Sequence, residues 1–289
     1  MNKWVFFTGV FLIMQACAQK PYFGKLDHLG RFPSQLSEIS GIDIDELDRL
    51  WAIEDNGNKD VLYQLDFKGN PIKKLKIENA KNGDWEDLTI SREGNFYIGD
   101  FGNNHNNRKD LVIYRIPAKQ LTKKTPKAEK IEFSYPQQKD FPPKKRDLLF
   151  DSEGFFHWNE HLYIFTKNRS RPYSGKTLAY RVPDKKGKHK AEFLGEFTLC
   201  TNQDHCSVTA ADISEDGQTI ALIGYGFIYL LTEFDFNDFS APKVTPIDLQ
   251  YPTQIESVCF SDENTLLIAD EQSKTKGRNL YKYDLKSKP

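Results

Sequence analysis

The chain has 289 residues and balances 40 basic against 41 acidic side chains, a formal net charge of -1. It lacks the basic excess of a phosphate-backbone binder, so nucleic acid is not an expected partner. A mean hydropathy of -0.62 with 13% aromatic residues suits many short, half-buried strands joined by polar loops, and a single all-β domain can reach roughly 250 residues.

Residues 1–16 read as an export signal, with Lys3 as the charged start, an apolar run from Trp4 to Met14 and the small Ala16 before the cut. That run is too short to span a bilayer. Cleavage inside Met14-Gln15-Ala16-Cys17 resembles a bacterial lipoprotein signal, in which the new N-terminal cysteine is acylated. The alternative is ordinary secretion with a cut nearby. An acylated Cys17 would attach residues 17–289, read as one domain, to the lipid bilayer. Ala18, where an acid would signal retention in the inner membrane, implies by the same resemblance an outer-membrane lipoprotein, periplasmic or on the cell surface.

Along the mature chain, Lys25 to Phe32 alternates as one isolated strand. A first repeat follows: Ile39 to Ile44, Leu50 to Asp55, Val61 to Asp66 and Ile72 to Ile77, separated by Asn, Gly and Asp turns. The second opens at Asp84-Trp85-Glu86-Asp87-Leu88-Thr89-Ile90, turns at Glu93-Gly94-Asn95 and continues through Phe96 to Asp100, Leu111 to Ile116 and Lys130 to Tyr135. The third opens at Asp151, the fourth at Val208 and the fifth at Gln254, and the fifth runs out of chain after three strands. Self-similarity at this period with four strands per unit predicts an all-β fold, a five-bladed β-propeller closed by the N-terminal strand. A six-bladed ring would need a further blade between Leu121 and Asp147, where alternating apolar residues are too few. A β-sandwich also alternates, but it would not repeat an acid at one strand position.

Carried by Ile39-Ser40-Gly41, Asp84-Trp85-Glu86-Asp87, Gly99-Asp100-x-Gly102-Asn103, Asp151-x-Glu153 and Gln254-x-Glu256, the chain resembles exported bacterial β-propeller proteins related to the NHL, SdiA-regulated and phytase-like or esterase-like groups. The resemblance covers nearly the whole mature chain. It implies the fold, while its activity labels are loose.

In a propeller, the start of each first strand and the end of each second strand converge on one mouth of the central channel. Ser40, Glu86, Glu153, Thr209 and Glu256 align at the starts, with Asp84 and Asp151 two residues earlier on the same side of their strands. Asp55, Asp100, Asp270 and Lys167 align at the ends. Glutamates at Glu86, Glu153 and Glu256 should not coexist unpaired, because like charges raise one another's pKa. Two compensations are open. A hard cation such as calcium could be held by Asp84, Glu86, Asp151, Glu153, Glu256 and Asp270. Alternatively, Arg108, Lys167 and Arg169 could pair with these acids internally. The second-to-third strand loops on this face make it the expected site for a small-molecule ligand or protein partner, with Asp55, Asp100, Asn103, Asn104, Arg108, Lys167 and Arg169 as ligand-binding candidates. Asn103 and Asn104 are equally good turn residues.

Catalytic motifs are sparse. His157-Trp158-Asn159-Glu160-His161 spells a zinc signature, but that chemistry needs a helix, and the repeat places the segment in a strand-turn-strand. Cys200 and Cys206 bracket a short loop and form the expected disulfide of an oxidising compartment, free thiols being the alternative. Cys259 alternates into the fifth repeat as a buried apolar residue. Lysine-dense stretches, including Asp184 to Lys190, read as solvated loops. The expected function is a lipid-anchored binding protein with an acidic channel mouth. The alternative is a metal-dependent lactonase or phosphoesterase in which Glu86, Glu153 or Asp100 acts as base, although no clear nucleophile accompanies them.

Overall fold

Period-two alternation between Asn/Gly/Asp turns produces strands throughout the computed structural model, which describes residues 21–274 and 276–286. The signal segment and Cys17 lie outside the described residues. The first strand is β1 (Asp27–Arg31). Blade one comprises β2 (Ile39–Ile44), β3 (Leu50–Glu54), β4 (Val61–Leu65) and β5 (Pro71–Lys76). Blade two comprises β6 (Trp85–Ile90), β7 (Phe96–Asp100), β8 (Val112–Ile116) and β9 (Glu129–Ser134). Blade three comprises β10 (Asp151–Trp158), β11 (His161–Lys167), β12 (Lys176–Pro183) and, after an inserted β13 (Gly187–Lys190), β14 (Glu192–Thr198). Blade four comprises β15 (Ala210–Ile213), β16 (Ile220–Gly224), β17 (Phe227–Thr232) and β18 (Lys243–Asp248). Blade five comprises β19 (Ile255–Asp262), β20 (Thr265–Asp270) and β21 (Asn279–Asp284).

Five blades form the ring, and β1 pairs antiparallel with β21 to supply the fourth strand of blade five. The segment between blades two and three adds no sixth blade. One stretch departs from the expectation: the lysine-rich run at Asp184 to Lys190 is not merely a solvated loop. Its β13 pairs in parallel with β9, from Gly187 opposite Ile131 to Lys190 opposite Ser134, so blade two has five strands. The outer edge of β9 offers unpaired backbone groups, and the chain crossing from blade three satisfies them.

Each blade buries its faces against its neighbours. Five apolar clusters fill the five interfaces: Trp51, Trp85 and Phe96 between blades one and two, Phe101, Phe155 and Tyr180 between two and three, Phe156, Leu222 and Phe239 between three and four, Ile228, Val258 and Tyr281 between four and five, and Phe32, Tyr63 and Leu280 between five and one.

The inner strands meet around the channel, where each presents a backbone edge with no strand to pair it. Side chains of the preceding blade take that role. Asp43 accepts from Ile90 N at 2.6 Å, Asp87 from Phe155 N at 3.1 Å and Ala211 N at 3.4 Å, and Asp212 from Phe260 N at 2.7 Å. Thr209 donates to the Ile255 carbonyl at 2.7 Å, and Ser257 and Ser40 donate to the carbonyls of Ser40 and Glu86. Between blades three and four the backbones themselves close up: a Cβ on Gly154 would lie 2.6 Å from the Ala210 carbonyl carbon.

The His157–His161 segment forms the tight β10–β11 hairpin, with Asn159 and Glu160 at positive φ. Trp158 pairs with His161 and His157 with Leu162, so the two imidazoles lie on opposite faces of the sheet. His157 Nε2 instead meets Asp184 Oδ2 at 3.1 Å and its ring stacks on Tyr97. No metal could be chelated by that pair.

Desolvation pushes the carboxyls of Asp43 and Asp87 well above the carboxylate range and Asp212 up to about 7. A folded pKa above the unfolded one means that the folded chain holds protons that the unfolded chain has released. The associated stability is full below about pH 4 and is lost as pH rises, for Asp212 through about 7. Chemical denaturation should therefore give a higher unfolding free energy at about pH 5 than at about pH 8, and Asp212→Asn should flatten that slope. Asp87→Ala, which orphans the N–H groups of Leu88, Phe155 and Ala211, should cost about 2–4 kcal/mol.

Candidate functional site at the channel mouth

The acids reach the channel because the inner strands are bulged. Register slips occur between Ile39 and Ile42, Trp85 and Asp87, Ser152 and Gly154, and Ile255 and Ser257. The residues left unpaired at the slips include Ser40, Glu86, Glu153 and Glu256. A bulge re-aims the extra side chain, and here it turns each into the mouth, a cavity of about 140 Å³.

The second-strand ends differ from the expected alignment. Glu54, Asp100 and Asp270 pair opposite Ile39, Trp85 and Ile255, while Thr166 pairs opposite Ser152. These four face across their own sheets. Tyr63 donates to Glu54 at 3.0 Å, Tyr281 to Asp270 at 2.9 Å and Leu178 N to Thr166 at 3.0 Å. The residue one step later faces the channel: Asp55, Lys167, Tyr225 and Glu271 line the mouth with Glu86, Glu153 and Glu256. Asp270 therefore stands behind the site, held by Thr253, Asn279 and Tyr281, and its expected part as a metal ligand passes to no one at that position. Glu271 was hidden from sequence alignment because the bulge in its partner strand shifts which strand-end residue faces the channel, and Tyr225 because it lies in the turn after β16 and is not an acid.

Blade two is the exception. Phe101, at the step where the others face the mouth, is fully buried in the core, and Gly102 follows it. A Cβ on Gly102 would lie 2.0 Å from Glu86 Oε1 and 2.5 Å from Asp84 Oδ2. The space of that missing atom admits both carboxylates, and Asp55, Asp84 and Glu86 bring one oxygen each within 4.8 Å of one another.

Charge divides the mouth into two halves. In blade three, Lys167 Nζ reaches Glu153 Oε2 at 2.7 Å and Tyr225 Oη at 3.3 Å. Arg169 reaches Asp151 at 2.6 Å and Glu153 at 2.8 Å, and also donates to Asn104. Internal ion pairs thus neutralise this half, and Asp151 further accepts from Asn103 N at 2.7 Å. The other half has no such partner: among the described residues no ion pair is formed by Asp55, Asp84, Glu86 or Glu271. Burial, then the Glu153 charge, pushes Glu86 well up; burial, then Asp55, raises Asp84 to about 6. Burial, then Glu256, raises Glu271 to about 8, although Gln254 donates to it at 2.7 Å.

The remaining candidates are structural. Arg108 bridges Asp100 at 2.9 Å and Asp110 at 3.2 Å beside the mouth, not inside it. Asn103 holds its own loop, donating to the Phe150 carbonyl at 3.0 Å and accepting from Asn107 N and Arg108 N. Cys200 and Cys206 are joined as a disulfide around α1 (Gln203–Cys206), and Cys259 is a free, fully buried thiol. Among the described residues no helix is long and apolar enough to cross a membrane.

No protein-family model matches the sequence, and no curated protein does. Among solved structures the chain is similar to virginiamycin B lyase from Staphylococcus aureus, at 18% identity and a TM-score of 0.44, covering 85% of this chain and 66% of the lyase. It is also similar to a gluconolactonase from Xanthomonas campestris, at 13% identity and a TM-score of 0.46, with 84% and 71% covered. Aldose sugar dehydrogenase from Streptomyces coelicolor in its PQQ-bound form gives 9% identity and a TM-score of 0.48, with 91% and 98% covered. These are β-propeller proteins, and at such identities the likeness concerns the fold, not the chemistry.

Breaking the neutralised half should be costly. Lys167→Met leaves buried Glu153 without its closest cation and should destabilise the protein by about 3–5 kcal/mol, with Lys167→Met/Glu153→Gln recovering much of the loss in urea denaturation.

Proposed function

We propose that this chain is a lipid-anchored extracytoplasmic β-propeller, attached through Cys17, that holds calcium at its channel mouth and uses it to bind a small oxygen-rich ligand or a partner. The observation that carries this reading is the convergence of Asp55, Asp84 and Glu86 within 4.8 Å without a cation of their own. Glu86 is only 7% exposed, and burying an unpaired carboxylate is costly enough that it needs either a proton or a counter-charge. Gly102 leaves room for these carboxylates where any side chain would collide with them. Three convergent carboxylates suit calcium, whereas magnesium keeps most of its waters and takes one or two.

A second reading, a metal-dependent hydrolase, draws on Glu271. Glu153 and Asp100, expected as bases, are both ion-paired. Glu271 lines the same mouth without an ion pair and is the carboxylate placed to move a proton while the cation polarises a lactone or phosphoester. Binding remains the better-supported reading because both hydroxyls that line the mouth are engaged: Ser40 donates to the Glu86 carbonyl, and Tyr225 Oη accepts from Lys167 Nζ at 3.3 Å.

Calcium titration of the chain lacking residues 1–17, followed by thermal melting, tests the proposal. At a hundredfold excess over Kd, calcium should raise Tm by about 5–10 °C, chelator should reverse the rise, and Glu86→Gln or Gly102→Ala should abolish it. An unchanged Tm would sink both the calcium-dependent and the hydrolase readings.

A further inference from the structure

The mouth is too small for more than a cation and a head group, at about 140 Å³. Anything larger has to leave it in some direction, and four of the five blades obstruct the way. Their second-to-third strand connections, 55–60, 101–111, 168–175 and, among the described residues of blade five, 271–274 and 276–278, are longer, and Asp55, Asn104, Arg169 and Glu271 from them line the mouth. Blade four alone turns tightly: Gly224 pairs with Phe227, and only Tyr225 and Gly226 lie between. Beside this short turn a groove of about 940 Å³ lies over the end of blade four, with His205 and Phe227 on its blade-three side and Tyr251 to Gln254 on its blade-five side. Tyr225 and Gln254 line both cavities, so the groove adjoins the mouth at these two residues.

The groove is built as a rigid aromatic slot. His205 packs on Phe227 with ring centroids 4.6 Å apart. Its carbonyl accepts from Tyr229 Oη at 3.3 Å and lies where a Cβ on Gly224 would be 2.1 Å away, so Gly224 is needed for this close approach. The Cys200–Cys206 disulfide closes the same loop. On the other side Tyr251 is fixed against Phe23 and Tyr281, at 5.6 and 6.2 Å. The polar side chains nearest the mouth are already engaged, since Thr253 donates to Asp270 at 2.6 Å and Gln254 to Glu271 at 2.7 Å. Asp204, Asp248, Gln250, Ser273, Lys274 and Lys276 also line the groove, and its aromatic surface is that of Phe227 and Tyr251, which suits an aromatic body.

We infer that this groove is the subsite for an aromatic body attached to an oxyanion head, the head meeting the cation at the mouth and the ring lying between Phe227 and Tyr251. The inference rests on the calcium reading for its head-group half only. Phosphate monoesters provide matched probes, because methyl phosphate carries the head alone and phenyl phosphate adds the ring.

Isothermal titration of the calcium-loaded protein should find phenyl phosphate about tenfold tighter than methyl phosphate, the worth of one well-stacked ring. Phe227→Ala should bring the two esters to within about twofold of each other while leaving methyl phosphate and calcium binding unchanged, which also reports that the variant folds. Tyr251→Ala should narrow the gap in the same way, and transferred magnetisation from Phe227 and Tyr251 ring protons to the phenyl ring would locate it directly. Equal affinities in the native protein, no affinity for either ester with calcium bound, or a preference unchanged in both variants would each overturn the subsite. Absence of calcium binding would overturn the cation reading instead, and a phenyl preference that persists without calcium and is lost in Phe227→Ala would still sustain the groove.

Discussion

Five inner strands surround one channel, and each has an edge of backbone N–H and C=O groups that no strand can pair. A buried polar group without a partner costs roughly as much as a lost hydrogen bond, so the ring is possible only if other atoms fill that role. Here short side chains of the preceding inner strand do so. Asp43 reaches blade two, Asp87 reaches blades three and four, and Asp212, Thr209 and Ser257 carry the circuit through blade five back to blade one. The five apolar clusters press the blades together, but these bonds hold the inner strands in register around the channel. Carboxylates suit the task because one oxygen can accept two N–H groups, as Asp87 Oδ2 does.

The same demand shapes the mouth. Where the inner strands of four blades begin, bulges release residues from pairing, and in three of them the released residue is a glutamate. The resulting like-charge ring is settled in two different ways on its two sides. Blade three supplies its own cations, Lys167 and Arg169, and is electrostatically closed. Among the described residues, blades one and two supply the carboxylates Asp55, Asp84 and Glu86, no cation that pairs with them, and a glycine-sized hollow. The short turn of blade four then sets the direction in which the mouth opens. The asymmetry of the mouth comes from differences between repeats, not from the repeat itself: Phe101 and Gly102 in place of a mouth-facing side chain, and Gly224 to Phe227 in place of a loop.

Much of the fold was legible because its signals are local. Alternation, turn residues and the orphan strand at the N-terminus predict five blades and their closure, since a repeat short of one strand in a ring can be completed only by the chain's other end. The acids of the first strands were legible for the same reason, because they recur at one offset, directly after Trp85, Ser152 and Ile255. Asp270 and Glu271 mark the limit. Which of two neighbours faces the channel depends on a one-residue slip in the partner strand, and such a slip inverts the facing of everything beyond it. Likewise β13 has no pattern of its own; it becomes a strand because β9 presents an open edge.

By itself the sequence determined the strand periodicity, the number of blades, the pairing of Cys200 with Cys206 as the favoured choice, and a set of acids confined to one end of the channel. Tertiary structure decided which acids are spoken for. The charge balance of the mouth depends on distances of a few ångströms between residues far apart in the chain, such as Arg169 with Asn104 or Asp55 with Glu86, and no spacing rule encodes those distances. The contrast between a neutralised half and an uncompensated half of one mouth arises only when the ring has closed.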